Sequence, residues 1–272
     1  MKTVETVLAC CVVGLACFIG GQTLGARDRS VLDEASGTIV GRPPRMPAAR
    51  TTATPSAASR AARSHSEERL VSDASGTARP AGNAEEMRRR IASGMDGTYI
   101  DELLAARDSA ISRWPDRVTR PLRVFVREGS DLDLWNPDFL SAVRDAFDTW
   151  TEARIPVRFT FVHDSATADI HVHFVGSFAS GISGKTVWSR DGAHWLFSSD
   201  IQLAVTHPNG GSVTPPQIRA IALHEVGHLL GLDHTRDTGN IMSARVRVRE
   251  LSEADKATVR LVYAVPAGSL KR

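Results

Sequence analysis

The amino-acid sequence predicts an α+β domain over residues 121–266, a twisted mixed β-sheet with a long helix beneath it and a second helix closing the chain. Three observations predict it. Short runs between residues 122 and 205 alternate apolar and polar side chains, the period of strands that bury one face. One helix-period segment, 136–150, interrupts those runs. Two helix starts follow the last run, Thr214 with Pro215, and Ser252 with Asp255 three residues on. Strands gathered first and helices afterwards suit a layered α+β arrangement.

The elements can be justified in order. The 272 residues suffice for one or two domains with a proper core. Residues 7–26 carry no charge and follow a short start containing Lys2, so 1–26 reads as an export signal or an uncleaved membrane anchor. Arg27 and Arg29 weaken the charge bias that would separate the two. Either way, the rest of the chain is expected outside the cytoplasm, secreted or anchored at its N-terminus. Residues 27–83 are rich in Ala, Arg, Ser, Thr and Pro, and hold too little apolar surface to offset the entropy of ordering, so a disordered linker is expected. Residues 84–120 are expected to be a more helical lead-in, with Ile100, Leu103, Leu104 and Ile111 at helical spacing, that either caps the following domain or ends the linker.

Within the domain, 122–126 alternates as a half-buried strand. Asn136 and Pro137 then supply a side-chain cap and a first-turn proline for a helix whose apolar face is Phe139, Val143, Phe147 and Trp150. Strands follow at 157–162 and 169–175, with shorter ones near Val187 and across 195–205. The last helix reaches Tyr263, and 267–272 is a tail.

Composition excludes several classes. A net charge of +2 gives no reason to expect a nucleic-acid partner. All three cysteines, Cys10, Cys11 and Cys17, lie in the N-terminal apolar run, so the remainder can form no internal disulfide. A monomer is expected.

The helix opened by Thr214 carries the chemistry. It contains His224, Glu225 and His228, followed by Gly231 and His234. Residues four apart share a helix face, so His224 and His228 can offer two imidazoles to one ion. Glu225 lies about 100° around the helix, beside that ion and within reach of a water on it. Gly231 permits the left-handed conformation that ends a helix, and the returning chain brings His234 as a third ligand. Three nitrogen ligands with a fourth position left for water are what a catalytic zinc requires, and a structural zinc would fill all four. Such an ion brings the pKa of its water to about 7, and Glu225 would serve as general base.

This stretch resembles the zinc signature of the metzincin peptidases, and matrixins most closely. Thr235 after the third histidine, Asp237, and Ile241-Met242-Ser243 are similar to the matrixin run into the Met-turn, which puts Met242 beneath the metal. Leu251, Ser252, Asp255, Val259 and Tyr263 resemble the closing helix; Val143, Phe147, Trp150 and the segment 168–174 resemble the first helix and third strand. The resemblance covers about 122–263. It implies a metzincin-like domain with a long active-site helix, one catalytic zinc, and hydrolysis of a protein or peptide substrate held as an extended strand. It also implies structural calcium, for which no ligands are assignable. The edge strand above the metal is expected within 195–205, and the specificity pocket in the loop after His234, where Arg245, Arg247 and Arg249 either favour acidic substrates or form a solvated basic loop.

Two departures matter. Matrixin pro-segments commonly cap the zinc with a cysteine, and none follows Cys17. The His-x-Asp pair that many matrixins use for a second zinc is missing from 176–180. His171 and His173 share a strand face and His194 could lie near them, so a second zinc there is the lesser expectation, with solvated or packed imidazoles the greater. The alternative to a peptidase is a zinc-bearing binding or adhesion module of the same fold without turnover; an intact Glu225 argues against it.

Overall fold

The computed structural model describes residues 66–70 and 79–271. The expected signal or anchor over 1–26 and nearly all of the expected linker lie outside those residues. Among the described residues, no helix is long and apolar enough to cross a membrane.

Six strands make one mixed sheet, in the order β1-β6-β7-β5-β3-β4. They are β1 (Ser66–Leu70), β3 (Arg117–Val126), β4 (Val157–Phe161), β5 (Ile170–Val175), β6 (Gly184–Arg190) and β7 (Leu196–Ala204). Pairing is parallel except between β6 and β7. Among the described residues five α-helices accompany the sheet: α1 (Ala84–Gly94), α2 (Ile100–Ala106), α3 (Asp138–Thr151), α4 (Pro215–Leu229) and α5 (Glu253–Ala264). A two-residue strand β2 (Ala110–Ile111) pairs with β8 (Gly268–Ser269).

The helices start where local chemistry allows. Asn136 Oδ1 accepts from the Asp138 N–H at 2.9 Å, capping α3. Gln217 Oε1 reaches back to the Thr214 N–H at 2.8 Å, and Ser252 and Asp255 exchange bonds in a full capping box. Helix α4 is unlike the amphipathic α3. Its residues from Ala220 to Leu229 are all buried, so it runs through the core and not along its surface. Two buried tryptophans fasten it: Trp150 Nε1 donates to the Leu223 carbonyl at 2.8 Å and Trp114 Nε1 to the Leu229 carbonyl at 2.9 Å.

Two expectations are corrected. The segment 195–205 is not an edge: β7 pairs with β5 on one side and β6 on the other. The strand beside α4 is β6, whose outer side is covered by β1 in parallel register, Ser66 opposite Thr186 and Leu70 opposite Arg190. The end of the chain is also no loose tail, since 268–269 is strand and Leu270 is buried. Residues 84–120 share the core with the residues that follow, through Met87, Ile91, Tyr99, Ile100, Leu103, Ile111 and Trp114.

Candidate active site and metal centre

His224 and His228 project from α4, and the chain returns with His234 after a turn at Gly231. That glycine has φ +96, and a Cβ there would strike the Ser112 carbonyl, so both conformation and close approach demand glycine. The three Nε2 atoms converge: 3.1 Å between His224 and His228, 3.2 Å between His228 and His234, and 3.3 Å between His224 and His234. Among the described residues this is the one group of three metal-ligating side chains that meets at a point.

The opposite ring nitrogens explain the orientation. His224 Nδ1 donates to the Ile241 carbonyl at 2.7 Å and His228 Nδ1 to the Leu232 carbonyl at 3.1 Å. Each proton is thereby held on Nδ1, leaving the Nε2 lone pair aimed inward. Burial, then the neighbouring His224 and His234, then Arg107 hold His228 well below the usual imidazole range, so it is neutral at pH 7. The inward lone pairs of His224 and His228 lie 3.1 Å apart and cannot satisfy one another; a cation shared with His234 would resolve them. Zinc–nitrogen bonds of 2.0–2.1 Å place tetrahedral ligands about 3.3 Å apart, which these separations match. The residues present therefore fit zinc.

Glu225 lies beside the trio and is 1% exposed. The Thr186 hydroxyl of β6 donates to its Oε2 at 2.6 Å. Burial raises the carboxyl to about 8, against the opposing Thr186 bond. A bound cation would pull it back down.

Met242 is fully buried against α4, where a Cβ on Gly227 would run into its sulfur. The turn carrying Met242 is strung to its surroundings by backbone: Thr235 N–H to the Met242 carbonyl at 3.0 Å, and Ile241 N–H to Asp255 Oδ2 at 2.9 Å. Asp255 also accepts from Ser252 at both N and Oγ and from the Tyr99 hydroxyl at 3.0 Å. The sequence showed Asp255 as a capping residue and as part of the run resembling the closing helix, but not as a partner of the turn that carries Met242. It gave no sign of Thr186, Arg107 or Asp233, whose partners are distant in the chain.

His171 and His173 do share a face of β5, with stacked rings and Asp200 Oδ1 at 4.0 and 3.8 Å. His194 lies instead against Ser112, 3.4 Å from its hydroxyl. They form no second group of the metal-binding kind among the described residues. Near His234, a cavity of about 770 Å³ is lined by Asp101, Glu102, Thr235, Arg236, Arg245 and Arg247 among others. Acidic and basic groups both face it, so the arginines alone do not set its charge.

An α+β sheet with its long helix, three convergent histidines and a methionine turn define a metzincin-type domain, the class of zinc metalloproteases. The chain belongs to the matrixin family, whose model matches residues 125–264. It is 29% identical over 143 residues to Metalloendoproteinase 1-MMP of Arabidopsis thaliana, covering 48% of this chain and 39% of that protein. It is 28% identical over 141 residues to Metalloendoproteinase 1 of Glycine max, covering 47% and 46% of the two chains. Matrix metalloproteinase-C of Caenorhabditis elegans is 28% identical over 131 residues, 43% of this chain and 21% of that one. The match thus spans less than half the length of each relative. Among solved structures, myroilysin aligns with a TM-score of 0.40 at 17% identity, over 58% of this chain and 85% of its own.

Proposed function

We propose that this protein is an exported zinc endopeptidase in which His224, His228 and His234 hold the metal and Glu225 is the general base. The observation that carries the reading is the convergence of three imidazole Nε2 atoms on one point beside a buried carboxyl group, with two of the rings held in the Nδ1-protonated tautomer by backbone carbonyls. Zinc bound there would acidify a water and polarise a scissile carbonyl. Glu225 would take the proton of the attacking water and deliver it to the departing amine. Thr186 holds one carboxylate oxygen, fixing the rotamer that presents the other.

A peptide substrate would bind as an extended strand along β6, because that strand carries Thr186 and flanks Glu225. Main-chain hydrogen bonding to an edge is indifferent to sequence, which suits an endopeptidase. In this structure β1 holds that edge, so a substrate would have to take its place.

The test is casein cleavage by the wild-type chain beside Glu225→Ala, each with and without residues 1–78, with zinc measured on every protein. Cleavage by wild-type forms alone, with about one zinc on every form, supports the assignment. Zinc on all forms without cleavage points to a binding module. No zinc on folded wild-type protein defeats the site.

A further inference from the structure

We propose that Arg107 is the positioning residue of the metal centre: it holds the turn between the second and third ligands and ties that turn to strand β6. The inference rests on zinc binding by the histidine trio and goes beyond it to what sets the geometry.

Arg107 follows the last residue of α2, 126 residues before its partner Asp233. Both side chains are nearly buried, 10% and 5% exposed. Arg107 Nε donates to Asp233 Oδ2 at 2.6 Å, and Nη2 donates to the Leu232 carbonyl at 3.1 Å. Both acceptors already serve ligands. The Leu232 carbonyl takes the His228 Nδ1 proton at 3.1 Å, and Asp233 Oδ1 takes the His234 backbone N–H at 2.7 Å. One guanidinium thus reaches the supports of two of the three ligands. Its plane also lies over the Trp188 indole, 4.6 Å from the ring centroid, on the strand that carries Thr186.

The residue type matters. A guanidinium offers several N–H donors in a rigid plane and stacks on an aromatic face while doing so. Lysine would keep the charge but could not hold both acceptors and the indole in one geometry. Without Arg107, the Asp233 carboxylate would be a buried charge lacking its cation. It would move toward other donors or water, taking the His234 N–H with it, and the Leu232 carbonyl would lose the donor that fixes its direction. Groups that hold a metal ligand typically govern affinity by about 10–100-fold, and Arg107 fixes two such groups at once.

A contact that merely fastens α2 to the domain would behave differently, lowering the melting temperature without changing zinc affinity in the folded protein. The experiment compares the full chain carrying R107K, R107M and R107M/D233N with wild type. Zinc affinity is measured by competition with a chromophoric chelator, folding by near-ultraviolet circular dichroism, and ligand geometry by the visible spectrum of the cobalt-substituted protein. The expected result is a 10–100-fold loss of zinc affinity in folded R107M with a changed cobalt spectrum. R107K should recover part of the affinity, and R107M/D233N should recover melting temperature without it. Wild-type affinity and spectrum in folded R107M would overturn the proposal. Should R107M fail to fold, the double variant decides, because it leaves no unpaired buried charge: wild-type affinity there overturns the proposal equally. Absence of zinc from wild type itself would instead defeat the metal site on which the inference rests.

Discussion

Glu225 is buried beside three histidines that could hold a cation, and burial and a bound cation would act on its proton in opposite directions. In the metal-free protein, burial raises its pKa to about 8, against about 4.3 in an unfolded chain. The native state then binds more protons than the unfolded state between those values. The contribution to stability is complete below about pH 4.3 and is lost as pH rises through about 8, at roughly 1.4 kcal/mol per pH unit within the window. Urea unfolding of chelator-stripped protein at pH 6 and 7 should show that slope in wild type relative to Glu225→Gln. His228 has the opposite sign, since its lowered pKa costs stability as pH falls below about 6.5, but it is common to both proteins and cancels in the comparison. Zinc titration at pH 7 should release about one more proton from wild type than from Glu225→Gln, read by calorimetry in buffers of different ionisation enthalpy. Thr186→Val removes the hydroxyl that holds Glu225 Oε2, and should lower kcat about tenfold with zinc content unchanged.

At the scale of elements, helix α4 was the most legible part of the chain. Its start at Thr214-Pro215, its two in-face histidines and its glycine stop all depend on neighbours within a few residues, and the structure places each as local chemistry requires. Sheet order was not legible in the same way. The run 195–205 alternates well enough to be a strand, but alternation reports which face is buried and says nothing of which strand lies outermost. That depends on β6 turning back antiparallel and lying outside β7, a matter of long-range pairing. The arrival of β1 on the β6 edge could not be read from a segment composed like a linker. It leads to an expectation about rate. Because β1 covers β6 from Thr186 to Arg190, deleting residues 66–70 should raise cleavage of a short peptide several-fold, without changing zinc content, when initial rates are compared with the full chain. Equal rates would mean that substrate does not use that edge.

On the scale of the whole molecule, the lead-in segment decides how large the folding unit is. Sequence alone placed the start of the domain near Pro121, where alternation first becomes regular, and the matrixin match likewise begins at residue 125. Yet Tyr99 bonds to Asp255 of α5, Trp114 to the end of α4, and Arg113 Nε to the Val265 carbonyl at 2.8 Å. These contacts span more than a hundred residues of chain, which is why no local pattern announced them. Met87, Ile100, Leu103, Ile111 and Trp114 are each at most 1% exposed. Burying a large apolar side chain contributes about 1.5–3 kcal/mol, so these five together rival the whole net stability of about 5–15 kcal/mol expected for a domain. A chain beginning at residue 79 keeps all of them and should unfold in one cooperative transition followed by circular dichroism. A chain beginning at residue 121 removes them, takes the Trp114 and Arg113 donors from the Leu229 and Val265 carbonyls, and leaves Asp233 without Arg107. It should lose the cooperative transition and bind zinc weakly, although it contains every residue of the motif. A sharp transition with wild-type zinc affinity from residue 121 onward would show that the matrixin-matched region is self-sufficient and that the lead-in only covers it.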